Sequence, residues 1–291
     1  LEPTPFQRNA NLSDIYDAEV YLKREDLQMV RSYKIRGAYN KIRTIDPELV
    51  KNGIVCASAG NHAQGVAFSC SKLKIMGSIF MPVTTPRQKI EQVRMFGKEF
   101  IEIILTGDTF DAANSAAIEY AEENNKTFIP PFDDPKVMEG QGTIGREILN
   151  QCKEPLDYIF VPIGGGGLAT GISTLAKMLN PKIKVIGVEP AGANCMQSSL
   201  ASGKVTTLPT VNTIADGTAV KTPGNMIFPY IQENLDDIVT VEDDELIGTF
   251  LDMVENHKMV VENSGLLTVA ALKHLDIRDK RVVSILSGGN M

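Results

Sequence analysis

Four consecutive glycines, Gly164, Gly165, Gly166 and Gly167, follow the apolar run at 158–163 and lead into Leu168 and a helix-like segment to 179. A strand, a glycine turn and a helix in that order aim free backbone N–H groups and a positive helix end at one point. A phosphate can sit there because glycine has no Cβ to hold it off. A tight strand-to-helix turn needs one or two glycines rather than four, so the pattern predicts a phosphate ligand. Which phosphate stays open from this window. Gly164-x-Gly166-x-x-Ala169 is a relaxed dinucleotide fingerprint, and Glu189 lies 20 residues beyond Ala169, where an acid would meet a ribose hydroxyl. A nicotinamide or flavin enzyme therefore competes. A nucleotide kinase does not, because the loop lacks the Gly-Lys-Ser/Thr ending.

A second chemical signal is Lys34, in Ser32-Tyr33-Lys34-Ile35-Arg36-Gly37-Ala38. A single lysine is ordinarily a solvated surface charge. Burial and a neighbouring cation would instead free its amine for Schiff-base chemistry. Together with a phosphate cradle, such a lysine points to pyridoxal phosphate. Ser58, Ala59, Gly60, Asn61 and His62 form a polar loop between a strand and a helix, suited to receive a carboxylate on backbone N–H groups. Asn61 could donate to a phenolic oxygen. Near the end of the chain an apolar strand delivers Ser287 into Gly288 and Gly289, as expected where a cofactor ring meets the carboxyl end of a strand.

These residues need a scaffold, and the pattern predicts one. Short β-branched runs at 19–22, 53–57, 77–81, 100–105, 127–130, 158–163, 185–189, 238–241 and 281–286 alternate with longer helical segments. The helices are expected at 64–73, 86–96, 109–124, 135–151, 168–179, 243–256 and 264–275, with Asp108 as a candidate cap for the third. Strands such as 158–163 and 281–286 are apolar nearly throughout instead of alternating. That suits strands covered on both faces, hence an α/β fold with mainly parallel twisted sheets. No repeat and no clean linker appears, so two domains would exchange the chain more than once.

Composition narrows the function classes. Over 291 residues, 29 Lys and Arg against 36 Asp and Glu give a net charge of −7, which disfavours nucleic acid as a partner. No apolar run reaches the ~20 residues of a membrane-spanning helix. The four cysteines form no CxxC pair, so no zinc pattern and no disulfide framework is expected. A reducing compartment, most simply the cytoplasm, follows. The chain begins at Leu1 without a signal peptide and stops after a Gly-Gly, which reads as part of a longer protein.

In order and spacing, the four segments resemble pyridoxal-phosphate enzymes of the tryptophan-synthase-β structural type (fold type II), and among them the threonine dehydratases. The resemblance runs from Thr4-Pro5 to Gly289. Its most specific stretches are 22–28, 32–41, 57–67, 130–145, 161–171 and 214–217. Together they displace the dinucleotide reading.

The resemblance implies two three-layer α/β domains, a large cofactor-binding one from 1–51 plus 134–291 and a small, mobile, substrate-closing one at 52–133. The active site would lie in the cleft between them. It implies that Lys34 carries the cofactor as an imine and serves as base once substrate displaces it. Tyr33, where relatives commonly have Phe, would pack near the cofactor, and Asn61 would bond its 3-hydroxyl oxygen. Gly164, Gly165, Gly166, Gly167 and Leu168 would hold the phosphate, Gly217 would line the opposite wall, and Ser287 would face the pyridine nitrogen. Ser58, Ala59, Gly60, Asn61 and His62 would receive the substrate carboxylate, with His62 shaping the loop rather than acting as base. The implied reaction is β-elimination of L-threonine to 2-oxobutanoate and ammonia, with L-serine as secondary substrate, in a homo-oligomer.

Serine racemases share most of these motifs. Where they carry a second serine after Ser58, this chain has Ala59, which has no proton to give to the other face of Cα. Those relatives hold a divalent metal at positions matching Glu189, Ala193 and Cys195. A thiol suits Mg²⁺ or Ca²⁺ badly, so no metal is predicted. Asn263 replaces a usual proline in a loop with no assigned role. His257 and His274 read as ordinary helix residues. Biosynthetic members continue into an isoleucine-sensing domain, and segments 106–113 and 131–134 resemble theirs. The alternative of a different class is a catalytically inactive α/β protein that binds a phosphorylated ligand.

Overall fold

The computed structural model describes all 291 residues, Leu1–Met291. The chain opens with β1 (Phe6–Arg8), α1 (Ala10–Tyr16) and β2 (Glu19–Arg24). Next come α2 (Lys34–Thr44), α3 (Pro47–Val50), β3 (Ile54–Ala57), α4 (Asn61–Leu73), β4 (Gly77–Met81) and α5 (Arg87–Gly97). Then follow β5 (Ile101–Leu105), α6 (Phe110–Glu123), β6 (Thr127–Phe128) and α7 (Pro135–Gln151). The remainder forms β7 (Tyr158–Pro162), α8 (Gly167–Leu179), β8 (Lys184–Pro190), α9 (Cys195–Ser202) and α10 (Ile227–Asn234), then β9 (Asp237–Val241), α11 (Asp243–Glu255), α12 (Asn263–Ala270) and β10 (Arg281–Leu286).

Two compact units result, Leu1–Arg31 with Gln141–Met291, and Ser32–Gly140. The sequence reading draws its lines at 51/52 and 133/134 instead. The smaller unit takes in α2 because that helix packs on α4 at backbone distance. A Cβ placed on Gly65 would stand 3.0 Å from the Ile35 nitrogen.

In the larger unit a six-stranded sheet has the order β1-β2-β10-β7-β8-β9. Only β1, at the edge, runs antiparallel, pairing Phe6 with Lys23. The smaller unit has an all-parallel sheet in the order β5-β4-β3-β6. Its central strand shows why the apolar runs do not alternate. Ile54 and Cys56 enter one core cluster with Ala63, Val66 and Ala67 of α4, whereas Val55 and Ala57 enter another with Ala117 and Ala121 of α6. Both faces are covered, so both must be apolar.

The charged stretch after Leu22 is structural. Lys23 is fully buried, and its Nζ donates to Glu147 at 2.6 Å, the Thr4 carbonyl at 2.9 Å and Gln151 at 2.9 Å. Arg24 grips Asp26 with two bonds of 2.9 and 2.8 Å. Fully partnered charges of this kind can be buried.

Most expected elements form within a few residues of their expected bounds, with differences that have physical causes. The α6 cap is Thr109, whose hydroxyl accepts from the Ala112 N–H at 3.2 Å, rather than Asp108. Helix α2 escapes the sequence reading because Lys34, Arg36, Lys41 and Arg43 mask a stripe of only Ile35, Ala38 and Ile42. No helix is long and apolar enough to cross a membrane.

Candidate active site

In the smaller unit Lys34 is the first residue of α2, and its backbone N–H points to the Ser32 hydroxyl at 3.3 Å. The half-buried ammonium donates to the Pro131 carbonyl at 2.8 Å. It lies 5.5 Å from the Tyr33 ring centroid and 5.9 Å from that of Phe132, near enough for both π-faces to attract the charge. Gly65 lets α4 close on this point, since a Cβ there would meet the Lys34 carbonyl carbon at 3.1 Å.

The loop after β3 turns into α4 at Gly60, held by the Gly60 N–H donating to the Ser58 hydroxyl at 3.1 Å. Asn61 is the first helical residue, three positions earlier than expected, so Asn61, His62 and Ala63 form the first turn of α4. His62 faces inward, 4% exposed, with Nε2 3.0 Å from the Ile129 carbonyl. Burial above all, then the Lys34 charge, lowers its pKa to about 3 against the opposing pull of the Ile129 bond. The ring is therefore neutral and its Nε2 carries the hydrogen, which suits loop shaping and leaves no basic nitrogen on that side.

In the larger unit β7 runs into the tetraglycine turn and α8. Gly166 caps α8 at φ 100, a conformation that favours glycine, and a Cβ there would stand 2.7 Å from both Met196 and Ile227 side chains. Gly164 is closed in by Thr218 and Val220, with a Cβ 3.2 Å from the Thr218 Cα. The Gly165 carbonyl accepts the Gly224 N–H at 3.0 Å. Gly167 and Leu168 open the helix, so their N–H groups have no intrahelical acceptor, and Leu168 is 2% exposed.

Gly217 sits in a short 3₁₀ turn against Ser264, where a Cβ would lie 3.0 Å from the hydroxyl oxygen. Ser287 follows β10 and is 3% exposed. The sequence reading passes over the residue that joins these two places. Glu262 presses its carboxylate against the Gly288 backbone, where a Cβ would be only 2.3 Å from Oε1, and a Cβ on Gly217 would be 3.7 Å from the same oxygen. Its Oε2 accepts the Asn290 N–H at 3.1 Å. An acid following Val260 and Val261 is the only signal the sequence offers for it. Asn263 is the first residue of α12, a position where proline and asparagine are both tolerated because the N–H has no helical acceptor, and its side chain donates to the Ile214 carbonyl at 3.2 Å.

Glu189 is fully buried at the end of β8. Its two oxygens accept the N–H groups of Met196 at 2.8 Å and Gln197 at 2.9 Å. Burial raises its pKa to about 7 despite those bonds. Fully buried and turned to the start of α9, it does not present itself to a ribose hydroxyl. Nor does the set fit a hard divalent cation, because Cys195 Sγ stands 3.8 Å from the Glu189 carboxylate and burial pushes that thiol up to about 12. His257 lies just past α11 and pairs with Asn9 at 2.9 Å, while His274 ends a 3₁₀ turn 3.0 Å from Glu245.

A phosphate therefore fits the start of α8, and an amine suited to carbonyl chemistry stands at Lys34. Residues 1–288 match the family model described as "Pyridoxal-phosphate dependent enzyme". The biosynthetic L-threonine dehydratase IlvA of Halalkalibacterium halodurans is 51% identical over 289 residues, 99% of this chain and 70% of that protein. The Bacillus subtilis protein of the same name is 50% identical over 289 residues, covering 99% and 68%. Among solved structures, the processed form of threonine deaminase isoform 2 from Solanum lycopersicum superposes with a TM-score of 0.95 at 41% identity, over 100% of this chain and 84% of that one. Maize serine racemase gives 0.94 at 33% identity, covering 100% and 89%.

Proposed function

The chain belongs to the pyridoxal-phosphate dependent enzymes, and from that premise we propose that it converts L-threonine to 2-oxobutanoate and ammonia by β-elimination, with L-serine as a secondary substrate. It is a pyridoxal-phosphate dependent lyase of fold type II, and the reaction is the dehydratase step that serves isoleucine synthesis. Identity of 51% and 50% to two biosynthetic threonine dehydratases, each over 99% of the chain, carries the choice of substrate.

Bound pyridoxal phosphate supplies an electrophilic aldehyde carbon and a ring that withdraws charge from Cα. The chain's residues do the rest. Lys34 Nζ would be the amine that holds the cofactor's carbonyl carbon, and the same nitrogen would serve as the base for the Cα proton. Tyr33 would pack beside the cofactor, and the Asn61 amide would donate to its 3-hydroxyl oxygen. The N–H groups of Gly164, Gly165, Gly166, Gly167 and Leu168 would hold the phosphate, and Gly217 would line the facing wall. Ser287 would face the ring nitrogen, where its hydroxyl is too weak an acid to give up a proton. Ser58, Ala59, Gly60, Asn61 and His62 bind the substrate carboxylate through helix-start N–H groups. Residues 52–133 act as the substrate-responsive domain. The protein works as a homo-oligomer, dimer or tetramer, in the cytoplasm, a compartment consistent with four free cysteines.

Ala59 supports elimination over racemisation, since no second proton donor follows Ser58. The deciding experiment is a 2-oxo-acid assay with L-Thr, L-Ser and D-Ser on wild type and Lys34→Ala. Turnover highest with L-Thr and absent in the variant is the expected result. Substantial D-Ser formation from L-Ser would replace this reading with a racemase. Protein that stays colourless at about 410–420 nm with pyridoxal phosphate added would revive an inactive phosphate-binding protein.

A further inference from the structure

Glu189 commits each carboxylate oxygen to a backbone N–H, and it is fully buried beside the glycine loop. A carboxyl group kept in the core calls for a compensating role, because replacing a buried polar group by an apolar one is often neutral or stabilising. Its hydrogen bonds indicate that role. Both accepted N–H groups belong to the first turn of α9, an eight-residue helix beginning at Cys195. That turn backs the tetraglycine loop. Met196 Cε would stand 2.7 Å from a Cβ on Gly166, and Cys195 Sγ lies 3.8 Å from the Gly164 carbonyl. Ile227 braces Gly166 from α10 at the same 2.7 Å.

We propose that Glu189 is a positioning residue for the phosphate cradle. It anchors the first turn of α9, so that Cys195 and Met196 press the 164–166 turn into the shape that turns the Gly167 and Leu168 N–H groups towards a phosphate. Carboxylate and helix start do by direct hydrogen bonding what a bound cation would otherwise do, and the cradle needs no divalent metal. The inference rests on the reading that this loop holds the cofactor's phosphate.

The test compares pyridoxal phosphate with pyridoxal, which lacks the phosphate, on full-length protein at mildly alkaline pH, reading the imine band on titration. Glu189→Gln is expected to weaken pyridoxal phosphate binding by about tenfold or more, the size expected for a buried charge-assisted hydrogen bond, while pyridoxal changes by less than about threefold. Met196→Ala keeps the carboxylate and removes the brace. It is expected to show the same phosphate-selective loss, smaller in size, and it carries the test if Glu189→Gln does not fold. Equal losses for both ligands, or wild-type binding in both variants, would overturn the inference while leaving the cofactor assignment intact. So would a gain of more than about threefold in wild-type affinity on adding Mg²⁺ or Ca²⁺ after chelation. Wild-type protein with no imine band would sink the underlying reading as well.

Discussion

Lys34 and His62 donate to carbonyl oxygens two residues apart, Nζ to Pro131 at 2.8 Å and Nε2 to Ile129 at 3.0 Å. The segment between is Ile129-Pro130-Pro131, whose paired prolines fix two φ angles, so one stiff stretch sets the height of both side chains. A neutral imidazole is part of that arrangement, because a second cation beside the Lys34 ammonium would be repelled.

The first consequence is a pH dependence with a definite sign. Folded His62 stays neutral down to about pH 3, whereas unfolded chain binds a proton at 6.5. The stability it contributes is complete above 6.5 and is lost as pH falls through that window towards 3, a span on the order of 5 kcal/mol. Melting temperatures of wild type and His62→Gln, measured across this range, are expected to converge as pH drops. Parallel curves would show that the histidine is not held neutral.

Lys34→Ala removes the only side-chain amine assigned to the cofactor carbonyl. The imine band is expected to vanish, borohydride is expected to trap no cofactor on this segment, and 2-oxobutanoate formation is expected to drop by at least about a thousandfold, as for removal of a principal catalytic group. Retention of the band would place the imine on another lysine.

Gly166→Ala forces a side chain into φ 100 and against Met196 and Ile227 at 2.7 Å. The strain is about 1–3 kcal/mol before repacking. Loss of cofactor affinity exceeding the loss of melting temperature is the expected pattern, checked by equilibrium dialysis and calorimetry. A variant with unchanged affinity would show that the turn can relax without moving the N–H groups.

Gly65→Ala tests the seating of α2. In α4 the extra methyl gains about 1 kcal/mol of helix propensity, which offsets the cost of crowding Ile35 N at 3.0 Å and the Lys34 carbonyl carbon at 3.1 Å. Stability is expected to change little while kcat falls several-fold, since displacement of the α2 backbone carries Lys34 with it. Unchanged kcat with a lower melting temperature would reduce Gly65 to a packing position.

Several parts of this protein are written at consecutive positions. The tetraglycine turn, the loop from Ser58 to His62 and the doubly covered strands each show in a short window, because backbone freedom, helix starts and burial are local properties that leave local composition. The charged face of α2 conceals its helix for the same reason, since its buried stripe has only three large or small apolar residues among its cations.

Tertiary structure alone decides the rest. Pro131 meets Lys34 across 97 residues of sequence, Glu262 joins Gly217 to Gly288, and Glu189 turns inward to α9 rather than outward to a ribose or a metal. Contacts of that kind arise from how separate elements pack, so an acid in an apolar run reads the same whether it binds a ligand, a cation or its own backbone. Only the distances around its oxygens separate those uses.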